Sequence, residues 1–157
     1  MKNMHDPQQL LIDLKSPNPD TRNHATQELW LMWYREAGDE AEEELNRGTR
    51  LMGENHMDQA QQVFNHLITN FPDFAEAHNK LATLLFLMEK YEDSVFECEQ
   101  TLKLNPNHFG ALHGLGMCQY KLARYDQALK SFERALEIQP YADANRGYIA
   151  RCRGKLN

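Results

Sequence analysis

Phe109–Pro140, FGALHGLGMCQYKLARYDQALKSFERALEIQP, is the stretch that decides how this chain folds. It reads as two amphipathic helices closed by a proline. Leu112, Leu115, Gly116 and Met117 fall at helical spacing in its first half, and Ala128, Phe132, Ala135 and Leu136 in its second. Between them Ala123-Arg124-Tyr125 breaks the pattern. Two steps of 34 residues back from Pro140 reach Pro106 and Pro72, each again a proline closing a helical pattern. One helical hairpin cannot bury its own apolar face, whereas a stack of them shares a continuous core. The period therefore predicts an all-α solenoid of stacked helical hairpins.

Composition narrows the function. The chain has 157 residues, enough to bury a core, with a formal net charge of −6 and 41% hydrophobic residues. An acidic balance argues against nonspecific nucleic-acid binding, which needs lysine and arginine to displace counterions from phosphates. It argues equally against a polybasic membrane anchor. The longest apolar run, around Leu81 to Met88, is too short to span a bilayer, and MKNMHDPQQ lacks the apolar centre of a secretory signal. Three scattered cysteines, Cys98, Cys118 and Cys152, fit a reducing, cytoplasmic setting. Cys118 and Cys152 are 34 apart and so sit on neighbouring helices about 8–10 Å from each other, wider than a disulfide bridges. Free thiols are expected.

Residues 1–38 lie outside the 34-residue rule and read as an N-terminal helical cap. Leu10, Leu11 and Leu14 form a short stripe ended by Ser16-Pro17. Asn18 then suits an N-cap, Pro19 the first helical position and Asp20 the positive end of the helix dipole. The helix that follows carries Trp30, Trp33 and Tyr34 and stops at Gly38. The wording LLIDLKSPNPDTRNHATQELW faintly resembles a HEAT-type hairpin. Asp39 with Glu42 reads as a capping box opening the repeat region, 39–157. Its units are 41–74, 75–108 and 109–142, with a lone closing helix over 143–155.

The repeats resemble the tetratricopeptide (TPR) family, a resemblance that implies a right-handed α-α superhelix. That family wants a bulky apolar residue at position 4, Leu at 7, a small residue at 8 and a bulky one at 11. It then wants small at 20, Phe-like at 24, small at 27 and Pro at 32. The third repeat supplies Leu112, Leu115, Gly116, Gln119, Ala128, Phe132, Ala135 and Pro140, with only Gln119 out of place. The second supplies His78, Leu81, Ala82, Leu85, Ser94, Cys98, Thr101 and Pro106; the first departs at Glu44 and Arg47. PDFAEAHNKLAT and NPNHFGALHGLG also look like a group of bacterial and plastid TPR proteins of unassigned role. The resemblance implies that the first helix of each repeat lines a concave groove for a protein or peptide. Its candidate residues are Asn46, Thr49 and Met52, then Asn79, Lys80, Thr83 and Phe86. The third repeat adds Gly110, His113, Gly114, Met117 and Tyr120, and the last helix Tyr148 and Arg151. Gly110 and Gly114 share one helical strip, either a notch for a ligand backbone or relief of crowding by Tyr148. The family's carboxylate clamp for chaperone tails wants cations and amides where this chain has Leu45, Thr49, Lys80, Gly110 and Gly114, so that clamp is not expected.

Chemistry is not legible. No histidines pair at i, i+4 and there is no Cys-x-x-Cys, so neither a metal nor any other cofactor is expected. His78 occupies a packing position. Gly110-x-x-x-Gly114-x-Gly116 lies inside a helix and is no phosphate loop. Without a nucleophile–base pair, the chain reads as a non-enzyme, an adaptor or scaffold module that binds protein. The alternative is a self-associating module, a homodimer joined through Trp30, Trp33 and Tyr34, since aromatic residues dominate interface energetics.

Overall fold

The computed structural model describes residues 6–157. The expectation about MKNMHDPQQ rests partly on residues 1–5, outside the described residues. Among the described residues all regular structure is helical. In chain order come α1 (Pro7–Asp13), α2 (Pro19–Arg35), α3 (Asp39–Gly53), α4 (Met57–Asn70), α5 (Ala75–Leu87), α6 (Tyr91–Leu104), α7 (Phe109–Lys121), α8 (Tyr125–Ile138) and α9 (Asp143–Leu156).

The starts and stops follow local chemistry. Asp6 and Asn18 cap α1 and α2 by accepting from the backbone N–H of Gln8 and Asp20, with Pro7 and Pro19 at the next position. The predicted capping box at Asp39 does not form. Gly38, at φ 93°, holds the cap position and carries no side chain to share. Asp39, Glu40 and Glu42 instead occupy the first turn of α3, where the helix dipole favours negative charge. Within each repeat the first helix ends the same way. Asn55, Glu89 and Ala123, spaced by 34 residues, take positive φ, and the next residue's N–H reaches back to Leu51, Leu85 or Gln119 at 2.8–2.9 Å. That is the Schellman closure, repeated without a single glycine at its left-handed position.

Packing explains the small residues. A methyl at Gly48 would lie 2.5 Å from the Phe64 ring, and one at Gly116 2.7 Å from the Phe132 ring. Phenyl rings of the second helix thus seat on the bare backbone of the first. Gln119, out of place on the family pattern, is buried and accepts a hydrogen bond from the Ser131 hydroxyl at 2.6 Å. Glu44 and Arg47 form a two-bonded pair, 2.8 and 3.1 Å, at the first repeat. They give the start of the stack a polar face, as the outermost unit of a solenoid requires. α5 touches both α3 and α7, which places the first helices along one inner face.

The N-terminal hairpin does something the repeat pattern does not announce. It runs as a strap along the loops that join each repeat to the next. Arg22 of α2 lies over the Tyr141 ring at 3.9 Å. Further along, Trp30 and Trp33 meet His108 and Phe109. At its end Tyr34 and Ala37 pack against the first-repeat core of Ala41, Leu45 and Phe64. The tryptophans therefore lie on the third repeat's threshold, while Tyr34 packs against the first repeat. No helix among the described residues is long and apolar enough to cross a membrane.

Candidate functional site, a pocket on the inner face

Between α5, α6 and α7 the inner face opens into a pocket of about 250 Å³. Its walls carry Asn79, Thr83, Phe86, Gly110, His113, Gly114 and Met117, together with Ala82, Ser94 and Cys98. Helical spacing does this: the α5 and α7 residues each recur every three or four positions, so one stripe of each helix turns the same way. Seven of the fourteen groove candidates meet here.

The others lie around it. Lys80 follows Asn79 on α5, its ammonium 5.1 Å from the Tyr34 ring. Tyr148 stacks flat on Phe132, ring centres 4.8 Å apart, with Arg151 5.0 Å above it. Tyr120 packs edge-on against Tyr125 and Tyr148. Asn46 is exposed, Thr49 donates to the Leu45 carbonyl at 2.7 Å, and Met52 packs against the first-repeat core. Those three do not line the pocket. Trp30, Trp33 and Tyr34 are half-buried within their own chain.

The polar groups are already ordered. His113 Nδ1 lies 2.9 Å from Asn145 Oδ1, an acceptor, so that nitrogen is the donor. Asn79 donates to Glu76 Oε1 at 3.0 Å. Glu76 is fully buried, and its second oxygen accepts from His108 Nε2 at 2.7 Å. His108 Nδ1 caps α7 by accepting from the Ala111 N–H at 3.0 Å, and its ring stacks on Trp33 at 4.4 Å. A carboxylate and an imidazole at zero exposure, 32 residues apart, are held by three further partners, which is what burying such a pair requires. His78, expected to be a structural histidine, is buried and bonded to Glu97 at 2.7 Å.

At the pocket floor Cys98 and Cys118 share a hydrogen bond, and Cys118 also donates to Ser94 Oγ at 3.1 Å. That bond and burial push the Cys98 thiol well above the ordinary range, so it is a packing group and no nucleophile. All three cysteines are free and buried. Beside the strap, Glu36 is raised above 4.5 by partial burial first and by the Glu76 carboxylate second. Among the described residues no group of three or more His, Cys, Asp or Glu side chains is placed to hold a metal.

A profile of the tetratricopeptide repeat family matches residues 73–140. Those residues carry tetratricopeptide repeats. A TPR repeat-containing protein of Rhizobium etli is 30% identical over 133 residues, covering 84% of this chain and 65% of that protein's length. Among solved structures, the first TPR of Spaghetti (RPAP3), bound to an HSP90 peptide, superposes with a TM-score of 0.72. It is 19% identical and covers 74% of this chain and 92% of that one. The TPR2B domain of yeast Sti1 in its Hsp70 complex gives 0.68 at 17% identity, covering 73% of this chain and 97% of its own. These likenesses establish the TPR fold.

Proposed function

We propose that this chain is a non-catalytic interaction module that holds a peptide or protein segment against its inner face, as an adaptor or assembly factor. One observation carries the reading: seven residues spread over 39 positions of sequence, Asn79 to Met117, converge on one open pocket. Its mixture of apolar wall, amide, hydroxyl and imidazole suits a side chain together with the backbone that bears it. The solved TPR domains bound to an HSP90 peptide and in an Hsp70 complex support the same class of ligand. The chaperone-tail clamp itself is not part of the proposal, because Gly110 and Gly114 stand where that clamp needs donors.

Affinity capture from the native cell with the wild-type chain as bait tests the reading. Asn79→Ala with Lys80→Glu is the matched control, folded by circular dichroism. Partners retained equally by both baits would set the groove aside. Self-association through α2 is less supported, since His108 and Phe109 of the same chain already occupy the Trp30 and Trp33 faces.

A further inference from the structure

The pocket exists because the second repeat lacks two rings that the third repeat has. In the third repeat Phe132 descends from the second helix onto Gly116, and Tyr148 of the following helix lies parallel to it at 4.8 Å. His113 meets both rings edge-on, at 5.5 and 5.8 Å. Thirty-four residues earlier, Cys98 stands in the place of Phe132, Gly114 in that of Tyr148, and Asn79 in that of His113. The cysteine and the glycine leave the volume of those rings unfilled, and a pocket of about 250 Å³ lies against them. That is below the range of drug-sized ligand sites, and of the order of a large side chain.

Packing does not demand the glycine. A methyl on Gly114 would meet only Cys98 Sγ, at an ordinary 3.6 Å, whereas Gly110 is held bare by Trp30, 2.6 Å from where its methyl would be. A helix-interior glycine that crowding does not require leaves the pocket mouth open at a cost in helix propensity. Charge marks the rim. Lys80 on one side and Arg151 on the other lie over tyrosine rings, and among the described residues neither makes an ion pair. Glu76, the carboxylate on the pocket-lining helix α5, is buried and engaged with His108. The unpaired charge that Lys80 and Arg151 carry is positive, on a chain of net charge −6.

We infer that the ligand of this groove is a peptide that inserts an aromatic side chain into this pocket, against Cys98 and Gly114, filling the ring volume the second repeat lacks, with a carboxylate beside it for Lys80 or Arg151. This rests on the groove reading above and narrows it to one anchor residue and one charge.

A random twelve-residue peptide library displayed on phage is the probe. It is selected on the wild type and on a refilled variant carrying Ala82→Gly, Cys98→Phe and Gly114→Tyr, which copies the third repeat's packing. Wild type is expected to enrich peptides with Phe, Tyr or Trp within a few residues of Asp or Glu. The synthesised consensus is expected to bind at least tenfold more weakly when its aromatic residue becomes Ala, and at least tenfold more weakly to the refilled chain. Gly114→Leu, a single change at the mouth, gives the same reading should the triple variant not fold. Enriched peptides without an aromatic residue, or binding to the filled chains within twofold of wild type, overturn the anchor and leave the groove standing. No enrichment at all removes the groove and the anchor together.

Discussion

Single glycines carry opposite meanings in this chain, and the difference is measurable. Gly116 and Gly114 lie two residues apart on α7, yet only Gly116 has a ring at its Cα. Gly116→Ala is expected to cost about 1–3 kcal/mol, because the intruding methyl must displace Phe132. Gly114→Ala is expected to add about 0.5–1 kcal/mol, the helix-propensity gain with nothing to clash against; urea unfolding followed by circular dichroism reads both. A third substitution tests the shared turn. Ala123 holds φ 59°, a left-handed conformation that costs an L-residue roughly 1 kcal/mol. Ala123→Gly should recover much of that, less the entropy glycine adds to the unfolded chain, and raise the melting temperature. At this scale the sequence was only half legible. Position 8 glycines announce a close helix approach through the repeat pattern. Cys98 passed as a fair match, and its consequence for volume appears only when Gly114, on the neighbouring helix, is seen to share the same space.

Elements show where a repeat pattern stops informing. The helices of the repeats fall on the 34-residue register, because apolar periodicity and proline stops are local signals. The route of the N-terminal hairpin was not legible, since nothing in Trp30 or Trp33 says which of several equivalent loops they will meet. What selects it is His108, a ring that at once caps α7, bonds Glu76 and stacks on Trp33. His108→Ala is expected to destabilise the fold by about 3–5 kcal/mol, because it leaves Glu76 buried without its partner. Trp30 and Trp33 are the chain's two tryptophans, so their emission should shift to the red before the helical signal is lost. Glu36, at the end of α2, acts against the same junction. Its raised pKa means that the folded state holds this proton more tightly than the unfolded chain does. Its ionisation therefore costs stability as pH climbs from 4.5 through the raised value, and the cost is complete above it. Glu36→Gln should raise the urea midpoint at pH 7 and leave it unchanged below about pH 4.

At the scale of the whole molecule, a stack of repeats is ordinarily a one-dimensional object in which each unit feels only its neighbours. Here the strap joins the first repeat's core at Tyr34 to the third repeat's threshold at Phe109 and on to Tyr141. Unfolding should accordingly be a single transition. Trp30→Ala with Trp33→Ala is expected to split it, with hydrogen exchange in α7–α9 accelerating more than in α3–α5. Equal acceleration across all of these helices would mean that the strap does not tie the repeats together. The inner-face pocket belongs to this scale too, because its walls come from two repeats.

The strap also fixes a number. Each added repeat would push later helices along the stack by about two interhelical spacings of 8–10 Å, and a rigid seventeen-residue α2 cannot stretch to follow. A unit spliced between residues 74 and 75 would pull Trp33 off His108 and Phe109, whereas one grafted beyond α9 would leave every tie intact. This chain can be extended at its far end and nowhere within, so its tally of hairpins is set by the length of one helix that belongs to none of them.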